Sequence, residues 1–255
     1  MENIKPSETS ELKELLNRYS PIFSEVRKRI FVTLFVFAAS TVAGFVYYDK
    51  IIKIFIDILD LRGINIVFTS PFQFINLAIS CGVATGLVIT FPLLLYQILS
   101  FLRPALRARE FKMIVGLLPF SILLFLIGFS FGILVMKWQI ILFLSQTKAL
   151  GIGNILDINK LLSTVILVSS IMGVAFQFPI VILLLTSIGI IKLSHLKKYR
   201  LRVYFGCLIF TILLPPDSVL IAFLLALPLI ILFELTLILS RIFERNKAAH
   251  VPHQV

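Results

Sequence analysis

Acidic residues and cysteines are scarce in this chain. Thirteen Asp and Glu stand against 24 Lys and Arg, and charged residues of both signs make up only 15% of the 255 residues. The two cysteines, Cys81 and Cys207, lie inside apolar runs without CxxC or metal-ligand spacing, so both read as inert packing residues. No GxxxxGK[ST] stretch occurs, which excludes a P-loop ATPase. No HExxH motif or Cys/His cluster occurs either, and His195, His250 and His253 are scattered, so neither a metal nor any other cofactor is expected. Serines in the apolar runs have no nearby His or Lys in a triad pattern, which leaves an intramembrane protease unsupported. The N-terminal stretch "MENIKPSETSELKELLNRYSPIF" lacks a basic n-region, an apolar h-region and a small-residue cleavage site. The first apolar helix is therefore expected to act as its own insertion signal. An enzyme is not expected.

Apolar residues are abundant. They make up 59% of the chain, and the mean hydropathy is +1.03. Repeated apolar runs of about 18 residues or more read as membrane-spanning helices. The expected fold is an all-α membrane protein, a single polytopic domain over 1–255 with a polar segment at 1–29 and a flexible tail at 243–255. Six spans are predicted, at 30–48, 74–99, 113–136, 159–190, 203–214 and 219–240. Segments 1–29, 100–112, 191–203 and 240–255 together hold 18 of the 24 basic residues. This asymmetry places both termini on the cytoplasmic side. It also accounts for the net charge of +11 without nucleic acid.

The fifth span is short, at about 18 Å against about 30 Å of hydrocarbon, and "LPPD" at 214–217 ends it. Pro215 and Pro216 cannot donate backbone hydrogen bonds, and Asp217 needs water or a partner. The fifth and sixth spans are thus expected to form a short hairpin whose outer turn lies below the membrane surface. "GVATG" (82–86) and "GFSFG" (128–132) are GxxxG patterns that let helices approach closely. Pro92, Pro119, Pro179 and Pro228 lie within the predicted spans and point to kinked helices forming a cup-like wall.

Polar groups inside spans are costly and therefore informative. Gln177, in "GVAFQFP", needs partners for both sides of its amide, either from a neighbouring helix of this chain or from a partner protein. Glu234 must snorkel, be protonated or pair with a basic residue. Gln97 and Ser100 read as an interfacial cap. Two further carboxylates stand among basic residues near span ends. They are Glu25 in "SEVRKRI", and Glu110 in "FLRPALRAREFK", where Arg103, Arg107, Arg109 and Lys112 surround it. The plainer reading of each is a surface ion pair worth about 0–1 kcal/mol.

Four stretches, covering about residues 24–242, together resemble the TatC family, the multispanning receptor subunit of the twin-arginine protein translocase. "EVRKRI" (25–30) is similar to its ELRxR. "FTSPFQF" followed by "TFPLLLYQILSFLRPALRAREFK" is similar to its TSPxE…PxxxYQxWxFxxPGLxxxE. "GVAFQFP" resembles FGxAFExP. "YRLRVYFGCLIFTILLPPDSVLIAFLLALPLIILFE" resembles LRxY…TPPDxxSxxxLAxPxxxLYE. Some positions depart from the pattern: Ile22–Phe23 replaces HL, Gln73 the outer-loop glutamate, Leu99 the tryptophan, Pro104–Ala105 the PG pair, and Leu214 the threonine. The change at 73 removes any charge role there.

The resemblance implies a receptor for signal peptides with consecutive arginines, which gives the carboxylate at 110 a purpose. Glu110 would be the principal acceptor and Glu25 the second. Phe101 would be the loop aromatic, Pro104 would shape the loop, and Arg27 would complete the set. Guanidinium is planar, permanently charged and pairs bidentately with carboxylate, so two carboxylates held apart can count two arginines. Surrounding basic residues would repel proteins that are merely cationic. The resemblance also implies single-span partners of the TatA and TatB kind, with Gln177 associated with their helices. It further implies oligomeric assembly among membrane lipids, energy from the proton gradient, and a multi-pass location in the cell inner membrane or its thylakoid or mitochondrial equivalent. The alternative from the residues alone is a secondary transporter or channel for a small solute, which would need a midplane site of broken helices.

Overall fold

The computed structural model describes residues 6–61, 64, 66–102, 116, 118–151, 156–187, 190–191, 193–215 and 218–248. Among them the chain forms α1 (Pro6–Val46), α2 (Tyr48–Ile58), β1 (Ile66–Val67), α3 (Gln73–Leu102), α4 (Leu118–Ala149), β2 (Leu156–Asp157), α5 (Ile158–Ala175), α6 (Phe178–Ser187), α7 (Leu193–Lys198), α8 (Arg200–Leu213) and α9 (Val219–Ala248). Five segments are long and apolar enough to cross a membrane: Ser24–Val46, Gln73–Ile98, Leu118–Ala149, Ile158–Thr186 and Val219–Arg241. The protein is a multi-pass helical membrane protein.

Several boundaries differ from the sequence expectation. The third span, expected to end at 136, continues as helix to Ala149. Gln139, Gln146 and Lys148 do not stop it, because straight-chain polar residues are good helix formers where a helix leaves the hydrocarbon. The fourth span is broken at Phe176–Gln177 into α5 and α6, immediately before Pro179. The sixth segment, expected to be short, is the 30-residue helix α9. Shortness is confined to α8, whose 14 residues rise about 21 Å. The tail expected from 243 is helical through Ala248, and residues 249–255 lie outside the described set. Pro92 and Pro228 sit inside α3 and α9.

Span burial differs widely. Within an 18-residue apolar stretch of each, 67% of residues are buried in the Ile158–Thr186 segment and only 11% in Ser24–Val46, so α5 with α6 is the centre and α1 is peripheral. Leu77 and Cys81 of α3, Leu162, Val168 and Met172 of α5, and Leu225 of α9 form the core. Glycine lets α1 join it. A Cβ on Gly86 would lie 2.3 Å from Thr41 Oγ1, and one on Gly82 would lie 2.8 Å from the Thr41 carbonyl oxygen. The second GxxxG does the same for α4 on α5: a Cβ on Gly132 would lie 2.6 Å from Ser169 Cα. Both patterns therefore mark close helix contacts, where dispersion replaces the hydrophobic effect that lipid cannot supply.

At the far end of the bundle a two-residue parallel ladder pairs Ile66 with Leu156 and Val67 with Asp157. It ties the α2–α3 connection to the α4–α5 connection. Lys137 of α4 donates to the Ile58 carbonyl at 2.8 Å, satisfying the C-terminal end of α2.

Candidate functional site

The opposite end of the bundle has a mouth between α1 and α3. The seam at Gly82 and Gly86 sets α1 beside α3, which brings Glu25, Arg29 and Thr33 up to Gln97 and Phe101. Arg29 Nη2 donates to Glu25 Oε1, and Nη1 donates to the Gln97 carbonyl at 2.9 Å. The guanidinium carbon lies 5.9 Å from the centre of the Phe101 ring, within cation–π range. The Thr33 hydroxyl is shared between the Arg29 carbonyl and Gln97 Oε1, each at 2.8 Å, which fixes the side chain of Gln97 without the Arg29 guanidinium. The Glu25 side chain is 56% exposed and that of Arg29 is 22% exposed. Below them opens a cleft of about 550 Å3 walled by Ile30, Leu34, Phe37, Leu94 and Ile98. It is an apolar trough with one guanidinium–carboxylate pair at its lip.

Among the residues singled out from sequence, Glu25 and Phe101 meet at this mouth through Arg29. Arg27 is exposed on α1. Pro104 and Glu110 lie outside the described residues, as do Pro216 and Asp217. Pro215 is exposed, next to a buried Leu214. Arg29 and Thr33 were missed, and Gln97 was read only as a cap. The spacing Glu25–Arg29 is a visible i, i+4 pair, but the Gln97 and Phe101 contacts depend on which face of α1 the glycine seam presents.

Gln177 is buried, and the Ser121 residue of α4 engages both sides of its amide. The Ser121 hydroxyl donates to Oε1, and Nε2 donates to the Ser121 carbonyl at 3.1 Å. The pair holds α4 to the break between α5 and α6. Glu234 neither stands alone nor merely snorkels. It accepts a hydrogen bond from Tyr204 and lies 3.6 Å from Arg200, which fastens α8 to α9.

At the far end, Asp157 caps α5 by accepting from the Lys160 N–H at 3.1 Å. Its other oxygen accepts from Thr69 Oγ1 at 2.6 Å and from Gln73 Nε2 at 2.8 Å, while Gln73 Oε1 accepts from the Thr69 N–H at 2.8 Å. The Thr69 hydroxyl is the largest influence on the Asp157 carboxyl; burial, the next largest, opposes it, and the Lys160, Gln73 and Asn159 donors tip the balance so that the carboxyl lies below the usual carboxylate range.

These features define a class: a polytopic helical membrane protein whose exposed chemistry is a carboxylate–guanidinium mouth above an apolar cleft. Comparison with known proteins narrows it. Residues 21–228 match the family model "Sec-independent protein translocase protein (TatC)", and the chain belongs to this family. It is 30% identical over 243 residues to the Sec-independent protein translocase protein TatC of Listeria innocua, covering 94% of this chain and 93% of that one. It is 29% identical over 231 residues to TatCy of Bacillus subtilis, covering 88% of each. Its fold matches the crystal structure of the twin-arginine translocase receptor TatC in DDM with a TM-score of 0.75 at 26% identity, over 86% of this chain and 98% of that one. The resemblance read from four sequence stretches is thus borne out, and the solute-transporter alternative is set aside. Members of this family are components of a protein translocase.

Proposed function

We propose that this chain is the receptor subunit of a twin-arginine translocase, binding signal peptides with consecutive arginines at Glu25 and Glu110. One observation carries the reading. The Glu25 carboxylate is more than half exposed and is held by Arg29, whose guanidinium faces an aromatic ring and lines an apolar cleft. A guanidinium needs the carboxylate and the ring, and an apolar segment following the arginines fits the cleft. Phe101, Pro104 and Arg27 complete the proposed set, with Glu110 the principal acceptor. The test replaces Glu110 by Lys and by Gln, and measures peptide binding and export of twin-arginine cargo at equal receptor abundance. Glu110→Lys abolishes both because repulsion replaces attraction, whereas Glu110→Gln is milder. Intact binding in Glu110→Lys would return Glu110 to the status of a surface ion pair.

The accompanying membrane arrangement is also a proposal. Six spans, with α8 as the short fifth, put both termini and the 100–112 and 191–203 segments in the cytoplasm. The basis is the position of 18 of the 24 basic residues. Cysteine labelling from outside sealed right-side-out vesicles should fail at position 107. The proline-bearing helices form a cup-like wall, and Pro215–Pro216–Asp217 makes the sunken outer turn. The subunit sits in the cell inner membrane, assembles with further copies and with single-span TatA- and TatB-type helices, and draws on the proton gradient. A partner helix that uses Gln177 does so by exchanging the bonds now made with Ser121. Gln177→Leu should then weaken partner crosslinks while leaving peptide binding intact.

A further inference from the structure

We infer that Arg29 is an internal stand-in for a guest arginine. In the free receptor it holds the Glu25 carboxylate and the Phe101 ring, and it yields both to the guanidinium of an arriving peptide. The inference rests on the reading of Glu25 as a receptor carboxylate, and adds to it a competitor built into the same helix.

Three contacts of Arg29 carry the argument. Its guanidinium donates to Glu25, donates to the Gln97 carbonyl at 2.9 Å, and faces the Phe101 ring at 5.9 Å. The carboxylate and the ring are the surfaces a planar, permanently charged guest group would seek. The contacts differ in how easily they are given up. Glu25 is 56% exposed and Phe101 39%, so water solvates both partners and the i, i+4 pair contributes little. The Gln97 carbonyl belongs to α3, whose packing on α1 is set by glycine contacts elsewhere. Arg29 can therefore release Glu25 and remain anchored on Gln97 through its other Nη.

The arrangement also sets a threshold. A guest must displace an arginine from a carboxylate and an aromatic face, and that cost is the same for every guest. Another guanidinium replaces both contacts in kind, whereas an ammonium lacks the plane and the fork. The preference for arginine therefore lies in the guest's own contacts, and the internal pair raises the affinity that any cationic peptide must supply.

The test measures affinities of synthetic signal peptides, one with two consecutive arginines and one with two lysines, for the full-length receptor in nanodiscs. Arg29→Gln should tighten the arginine peptide by about two- to five-fold, the range a partly exposed ion pair allows. The lysine peptide should tighten by a similar factor, because both guests displace the same arginine, so that discrimination is kept. In a Glu25→Gln background the same substitution should tighten binding less, since only the Phe101 ring is then freed. Arg29→Lys keeps an anchor near Gln97 and should give a smaller tightening; it serves as the readout should Arg29→Gln fail to fold. Unchanged or weaker arginine-peptide binding in folded Arg29 variants, with Glu25→Gln still impairing the wild type, would overturn the stand-in and leave the receptor site standing. Wild-type binding insensitive to Glu25→Gln would remove the reading of Glu25 itself.

Discussion

The two ends of α3 hold carboxylates in opposite ways. At its N-terminal end, Asp157 is gripped from several directions: Thr69 and Gln73 on one oxygen and the Lys160 N–H on the other. At its C-terminal end, Glu25 is held by one guanidinium and is more than half exposed. The first arrangement is closed and joins two connections already paired through β1 and β2. The second can exchange its partner. A receptor needs the exchangeable kind, since a carboxylate saturated by its own fold has little left to offer a guest. The contrast is the physical reason for proposing a receptor face at the Glu25 end.

The seam that makes the mouth is where a single change does most damage. Gly86→Leu drives a side chain into Thr41 and Phe37, whose nearest atoms lie 2.3 Å and 3.1 Å from an ideal Cβ. Overpacking of this kind costs about 3 kcal/mol. Thermal unfolding in detergent should show the loss. A cysteine pair at 29 and 97 should cross-link poorly in the variant, while a pair at 69 and 157 cross-links as before. Equal loss of both pairs would mean that the two ends are not independent.

Gln73→Glu strikes the closed end. It removes the Nε2 donor and sets a second carboxylate against Asp157, at a cost of about 2 kcal/mol. Adding Asp157→Asn restores a donor–acceptor pair and should recover most of that stability. A double variant no better than Gln73→Glu would show that the bond to Asp157 is not what Gln73 supplies. Acid provides a gentler probe of the same network. The folded pKa of Asp157 is depressed, so its contribution is complete above the unfolded value of about 3.9 and is lost as pH falls through the folded one. The gap in melting temperature between wild type and Asp157→Asn should therefore narrow below about pH 4.

Between the ends, Gln177→Leu strands the buried Ser121 hydroxyl, at a cost of about 1 kcal/mol in a membrane helix bundle. Ser121→Ala combined with it should lose less than the two single changes together. Smallest of all is the expected stability effect of Glu25→Gln, about 0.5 kcal/mol or less, although the same change should impair peptide binding. A large loss of stability there would make the mouth as structural as the far cap and erase the contrast.

Much of this was legible in the residues. Spans, basic asymmetry and family motifs are linear features, because a bilayer imposes length and composition on each helix separately. The two GxxxG patterns were also visible, since small residues four apart share a helix face. The exposed chemistry was legible only as types. Glu25 and Phe101 could be named from the resemblance, but they are 76 positions apart and nothing linear says that Arg29 joins them. Gln73 looked like a lost charge and is an amide using both of its ends. Gln177 left two readings open, and the position of Ser121, 56 positions earlier, supplied a partner within the chain. Polarity, the existence of the long apolar helices and the class belong to the sequence alone because each depends on neighbours along the chain. Which polar group meets which depends on how glycine seams rotate and seat whole helices, and only the tertiary structure decides that.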